Sequence, residues 1–166
     1  MRKVCLFIAM SLDGYIADQN GGVDWLRGQD DDAEEMDSYD EFSKRIDTVI
    51  MGWNTYHQIV TELSPQEWVY DPFVTYVFSR HAPASSERIR FVNTDPGKLV
   101  KQLKEEKGKD IWICGGADLV GQLMNENLID EYHITIIPTL LSGGIRLRLL
   151  DTNISNGMVE LVYVRK

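Results

Sequence analysis

At 166 residues, with 43% hydrophobic and 26% charged residues, the chain has the composition of a folded globular domain and not of a disordered or fibrous one. Seventeen Lys and Arg against 26 Asp and Glu leave a net charge of −9, which repels polyanions, so nucleic acid and anionic membrane surfaces are poor partners. No apolar run approaches the ~18 residues of a membrane span, and Cys5 and Cys114 stand in separate apolar runs without CxxC spacing, which predicts a reduced, cytoplasmic protein built as one domain over residues 1–166.

Val4–Met10, "VCLFIAM", is a short apolar run ending in "SLDG" and predicts a central buried strand followed by a turn. "DQNGGVDWL" is loop chemistry and a plausible lid. In "DDAEEMDSYDEFSKRID" the spacing of Met36, Tyr39, Phe42 and Ile46 predicts an amphipathic helix, acidic at its start with Lys44 and Arg45 toward its end. Thr48–Met51 reads as a second buried strand, and after Gly52 the segment "NTYHQIV" begins a helix capped by Asn54. Val74–Phe78 and "RIRFVN" follow as strands.

"TDPGKLVKQLKEEKG" predicts a helix with Asp95 as cap, Pro96 in the first turn, Leu99, Val100 and Leu103 on one face, and Gly108 at its end. "DIWIC" is a strand. Past two glycines, Leu119, Val120, Leu123, Met124 and Leu128 repeat at helical spacing, and "DEYHITIIP" and "MVELVYVRK" return to strand, the last one antiparallel or at an edge. Strands alternating with helices predict an α/β domain with a mostly parallel central sheet.

The chemistry concentrates where strands run into helices through glycine. "IWICGGADL" brings bare backbone at Gly115 and Gly116 to the carboxyl edge of the sheet, and the helix start beyond them favours an anion. "TVIMGWNTYHQI" repeats the arrangement at Gly52, so two helix starts can face one crevice. A tight turn that binds nothing is the alternative for either junction, since neither GxGxxG nor GxxxxGK[ST] is present. Arg80, ending "VTYVFSR", can grip a phosphate or serve as a solvated charge. Acids Asp30 to Glu41 lack accompanying His or Cys at ligand spacing, which disfavours a metal site. His57, His81 and His133 share no constellation with a nucleophile and receive no catalytic role.

Taken in order, "AMSLDGYIA", "MGWNTY", "VFSR", "CGGADL" and "LIDEYHITIIPTLLSGG" carry a resemblance that covers almost the whole chain. The sequence resembles the dihydrofolate reductase-like superfamily, especially stand-alone relatives of the reductase domain of bacterial riboflavin biosynthesis proteins. The resemblance implies a three-layer α/β/α fold with an antiparallel C-terminal strand and an NADPH-dependent reductase acting on a small heterocycle. It places Ala9 and Ile16 near the nicotinamide and Gly52, Asn54 and Thr55 near phosphates. Ser79 and Arg80 fall at the adenosine 2′-phosphate, and Gly115, Gly116, Ala117, Asp118 and Leu119 along the pyrophosphate. It further implies a cis peptide at the glycine pair and a homodimer.

Two departures leave the substrate open. Trp53 stands where many relatives have a phosphate-binding Arg and is free to stack instead, and Cys114 stands where riboflavin-pathway reductases have Glu. Reduction of a pteridine-like ring requires a proton source; on the helix face set by Tyr39, Glu35 and Asp32 are the nearest acids. Glu35 is thus a catalytic candidate, and the resemblance to dihydrofolate reductases adds Thr135, which matches a threonine that supports the substrate, and Trp25, which matches a pocket-side Trp, with Asp32 and Tyr39 also expected at the substrate. An acidic solvated face and ordinary packing are the alternatives. The acceptor is a ribosylaminopyrimidine or a dihydropteridine, and a nucleotide sensor without catalysis is the competing class. The H-x-E and P-C-x-x-C zinc deaminase signature is absent.

Overall fold

The computed structural model describes residues 1–30, 38–81 and 83–166. The chain divides into two compact units, Met1–Phe7 with Met36–His133, and Ile8–Glu35 with Ile134–Lys166. Strands β1 (Val4–Ser11), β2 (Ile46–Gly52), β3 (Val74–Phe78), β4 (Ile89–Val92), β5 (Asp110–Gly115) and β6 (Glu131–Ile137) form a sheet in the order β4-β3-β2-β5-β1-β6. The ladders β4–β3, β3–β2, β2–β5 and β5–β1 are all parallel, which matches the expected α/β architecture. Strands β1 and β6 run on from the first unit into the second.

In the first unit, strand periodicity of two sorts the core. Cys5, Val49, Met51, Val77 and Trp112 share one face, where they pack with Phe42, Ile59 and Phe73. Residues of opposite parity, Val4, Leu6, Ile50, Ile111 and Ile113, are also buried. Helices α3 (Pro96–Glu105) and α4 (Ala117–Asn125) pack together, α4 touches β2 and β5, and the pair buries Leu99, Val100, Leu103, Leu119 and Leu123. A sheet buried on both faces explains why its strands read as continuous apolar runs. Asp95 caps α3 as the sequence predicts, its side chain accepting from the Lys98 N–H at 2.8 Å, but the helix ends at Glu105, before Gly108.

Two further helical expectations are corrected. Helix α1 is described over Ser38–Ser43, and Ile46, expected on its face, is already the first residue of β2. Lys44 and Arg45 fall beyond the helix: Lys44 pairs with Glu41, and Arg45 holds Asp110 and Glu131 at 2.7 and 2.8 Å. The second correction concerns α2 (Trp53–Gln58), whose N-cap is Gly52 with no side-chain hydrogen bond; Asn54 lies inside the helix and is exposed. The α2 path continues as a wider π turn over Ile59–Leu63.

In the second unit, β7 (Thr139–Leu140), β8 (Ile145–Ser155) and β9 (Met158–Arg165) form an antiparallel sheet. The turn after β1 is fastened there by Asp13, whose carboxylate accepts from the N–H groups of Leu141 and Ser142 at 3.0 and 2.9 Å. Those bonds and the Ser11 hydroxyl, the largest contributor, hold the Asp13 carboxyl well below the usual carboxylate range. Strand β8, 11 residues long, lies outside the strands that the sequence predicts, because a bulge at Leu149/Asp151 breaks its alternation. Among the described residues no helix is long and apolar enough to cross a membrane.

Candidate functional site

The carboxyl ends of β2, β3 and β5 open onto a cleft of about 670 Å³ in the first unit. Three short segments line it: residues 52–55, 78–81 and 116–119. Of the residues expected at the cofactor, the cleft therefore unites Gly52, Trp53, Asn54, Thr55, Ser79, Arg80, Gly116, Ala117, Asp118 and Leu119. Gly115 directly precedes the third segment.

The register explains how two strand-to-helix junctions come together. Ile50 pairs with Ile113 but Met51 with Gly115, so β5 carries one extra residue, Cys114, at a bulge. Gly52 and Gly116 then approach so closely that a Cβ built on Gly52 would lie 3.8 Å from the Gly116 nitrogen. Gly115 takes φ +144°, a conformation that favours glycine. The Gly115–Gly116 peptide is cis.

Donors dominate the cleft walls. No side chain caps α4 at Gly116, so its first N–H groups are available at the end of a nine-residue helix whose dipole favours an anion. α2 is α-helical over only six residues, and the macrodipole contribution therefore comes chiefly from α4. Arg80 is exposed and makes no ion pair among the described residues. Ser79 beside it is buried, and its Oγ accepts the His81 N–H at 3.0 Å, which leaves the hydroxyl hydrogen free to donate. Asp118 supplies the acid in this lining.

Cys114, at the bulge, donates to the Tyr70 phenol oxygen at 3.4 Å. Burial pushes the Cys114 thiol up to about 11, against an opposing effect of Tyr70, and raises the Tyr70 phenol as well. Both groups are neutral at pH 7, so Cys114 is not a thiolate nucleophile. Tyr70 meets Trp112 edge to face at 5.0 Å, and Tyr39 meets Trp112 and Phe7 at 5.8 and 6.1 Å. Tyr39 is thus held by rings, while 38% of its surface stays exposed.

The other candidates lie elsewhere in the chain. Ala9 is half-buried in β1, Ile16 half-buried in the turn after it, and Thr135 half-buried in β6, all in the second unit. Trp25, also there, is buried with its indole N–H donating to the Gly22 carbonyl at 3.1 Å. Glu35 and Asp32 lie outside the described residues. Sequence reasoning passed over Phe78 and His81, which line the cleft; their one signal is that they bracket the "SR" of "VFSR" at a strand end.

Residues 2–161 match the family model described as the RibD C-terminal domain. The chain is 38% identical to YwjB of Bacillus subtilis (strain 168), over 99% of this chain and 98% of that protein. It is 25% identical to the riboflavin biosynthesis protein RibD of Haemophilus influenzae, over 88% of this chain and 50% of RibD. Among solved structures, a candidate riboflavin biosynthesis protein of Shewanella sp. PV-4 superposes with a TM-score of 0.71 at 25% identity, over 99% of both chains.

Proposed function

Since the chain belongs to the RibD C-terminal domain family, we propose that it is an NADPH-dependent reductase of a small heterocycle, most simply of the 5-amino-6-(5-phosphoribosylamino)uracil type. The observation that carries this reading is the uncapped start of α4 in one cleft with Arg80, which makes no ion pair among the described residues. A dinucleotide with a 2′-phosphate needs donors for its pyrophosphate and a separate cation for the extra phosphate. The α4 amides and the Ser79–Arg80 pair are suited to these two tasks, so the residues present fit the cofactor. When bound, NADPH supplies the hydride; the protein supplies orientation and exclusion of water.

Gly52 and Gly116 leave the main chain approachable, and Thr55 stands against the glycine pair, its Oγ1 3.5 Å from a Cβ built on Gly116. Tyr39 offers a partly exposed ring for a planar acceptor. We assign proton supply to Glu35 and acceptor support to Thr135 on the sequence pattern alone.

We further propose a cytoplasmic homodimer formed through the β8–β9 hairpin. Register puts Leu147, Leu149, Leu161, Tyr163, Ile154 and Val159 on one face, and Ile154 and Val159 remain 78% and 58% exposed at its outer end. This face, charge-free from Leu149 to Val159, lets two copies of an acidic chain meet without charge repulsion at the contact.

The deciding experiment titrates NADPH and NADH by calorimetry and then follows loss of nicotinamide absorbance with ribosylaminouracil and dihydropteridine acceptors. Binding of NADPH and turnover of the first acceptor is the expected result. Turnover of the pteridine alone replaces the substrate, binding without turnover favours a sensor, and no binding of either nucleotide removes the reading.

A further inference from the structure

The cleft lining is of two chemical kinds. One is main chain, at Gly116 and the start of α4; the other is aromatic and cationic, with Trp53, Arg80 and His81. Trp53 is half-buried and framed by rings: His81 at 5.5 Å, Tyr56 and His57 at 5.7 Å, and Phe91 at 6.2 Å between centroids. None of these neighbours lies parallel to the indole; the planes meet at 37° to 55°. Rings packed at such angles fix the orientation of Trp53 without consuming a stacking face in a parallel pair.

Resting on the cofactor reading above, we propose that Trp53 is the stacking platform for the adenine of the bound nucleotide, with His81 buttressing the indole and Arg80 holding the adjoining 2′-phosphate. The spacing decides between two arrangements. A base sandwiched between Trp53 and His81 would require two ring separations of about 3.5 Å each, more than the 5.5 Å found. The base therefore lies on the indole alone. His81 is positioned by its own main chain, since its N–H donates to the buried Ser79 Oγ, which ties ring, hydroxyl and Arg80 into one turn at the end of β3. The adjoining recess of about 420 Å³, lined by Ser79, Arg80, Asn93 and Thr94, gives the sugar and its phosphate polar surroundings next to the ring.

Stacking on an aromatic side chain is indifferent to which base is presented, because every base has a π face. A nucleotide anchored this way is selected by its 2′-phosphate more than by its base edge.

The test uses 2′,5′-ADP and NADPH as probes, read by calorimetry and tryptophan fluorescence on the intact chain. Wild-type protein is expected to bind 2′,5′-ADP with quenching, Trp53→Ala to lose about tenfold in affinity, and Trp53→Phe to keep the affinity but lose most of the quenching. His81→Ala should weaken binding less than Trp53→Ala. A folded Trp53→Ala variant that binds NADPH as tightly as wild type overturns the stacking role and leaves the cofactor reading intact. Failure of the wild-type protein to bind NADPH overturns that reading and this inference together.

Discussion

Met51 and Gly115 are register partners across the parallel β2–β5 ladder, with Cys114 left as the extra residue between Ile113 and Gly115. That pairing aligns the two strand ends so that Gly52 and the Gly116 nitrogen face each other in the cleft. Gly52 has an ordinary extended backbone, φ −79°, so a side chain there is not strained. Gly52→Ala is expected to fold with an unchanged melting temperature, because its Cβ makes only ordinary contact, yet to weaken NADPH binding about tenfold by screening the main chain from phosphate. Calorimetry with a parallel thermal melt checks both halves.

Arg80 and Asp118 carry the opposite charges of the cleft lining. A charge-assisted hydrogen bond contributes about 1.5–3 kcal/mol, so Arg80→Ala should cost NADPH roughly ten- to hundredfold in affinity while NADH changes little. Asp118→Asn should tighten NADPH about two- to fivefold at low salt, with the gain fading as ionic strength rises. Binding constants for both nucleotides across a salt series decide the matter.

Acid stability should report Glu131. Its carboxyl is lowered from 4.5 to about 2, chiefly by the Lys3 ammonium, against burial and with His133 and Arg45 assisting. A carboxylate whose folded value is depressed stabilises the fold above its unfolded value and ceases to do so as pH falls through the folded one. Stability is therefore expected to decline as pH falls from 4.5 toward 2. Glu131→Gln should lower the melting temperature at pH 6 and flatten this decline; an unchanged melting profile would show that the ion cluster contributes nothing.

Neither cysteine should react with iodoacetamide at pH 7 in the folded protein. Cys5 is fully buried and burial pushes its thiol up to about 11, the same level as Cys114. Intact mass measured before and after unfolding should change from no adduct to two.

The exposed outer end of the β8–β9 face predicts self-association. Ile154→Asp combined with Val159→Asp is expected to convert the dimer to a monomer on size exclusion with light scattering, without loss of NADPH binding. A wild-type protein that elutes as a monomer at all concentrations would remove the dimer proposal.

Much of this site was legible before the structure because each junction announces itself locally. An apolar run that stops at glycine and restarts at helical spacing marks a strand-to-helix turn, and Gly52 and Gly115–Gly116 both do so. Strand β8 was hidden for the converse reason: its bulge shifts the apolar positions by one, and its outer half, "DTNIS", is exposed and polar enough to read as loop. Asn156-Gly157 was the available signal, since both residues take positive φ in the hairpin turn that joins β8 to β9.

What the sequence determined by itself were the properties that depend on neighbours in the chain: the buried strands of the parallel sheet, the Asp95 cap, the glycines at the strand ends and the family pattern. Tertiary structure alone decided which of these meet. The parallel register brings Gly52 to Gly116, the end of β3 brings His81 against Trp53, and the bulge assigns Cys114 to Tyr70. Periodicity records which face a residue occupies but not what stands opposite. Pairing between distant strands is set by the summed burial of a whole sheet, which no local stretch of sequence encodes.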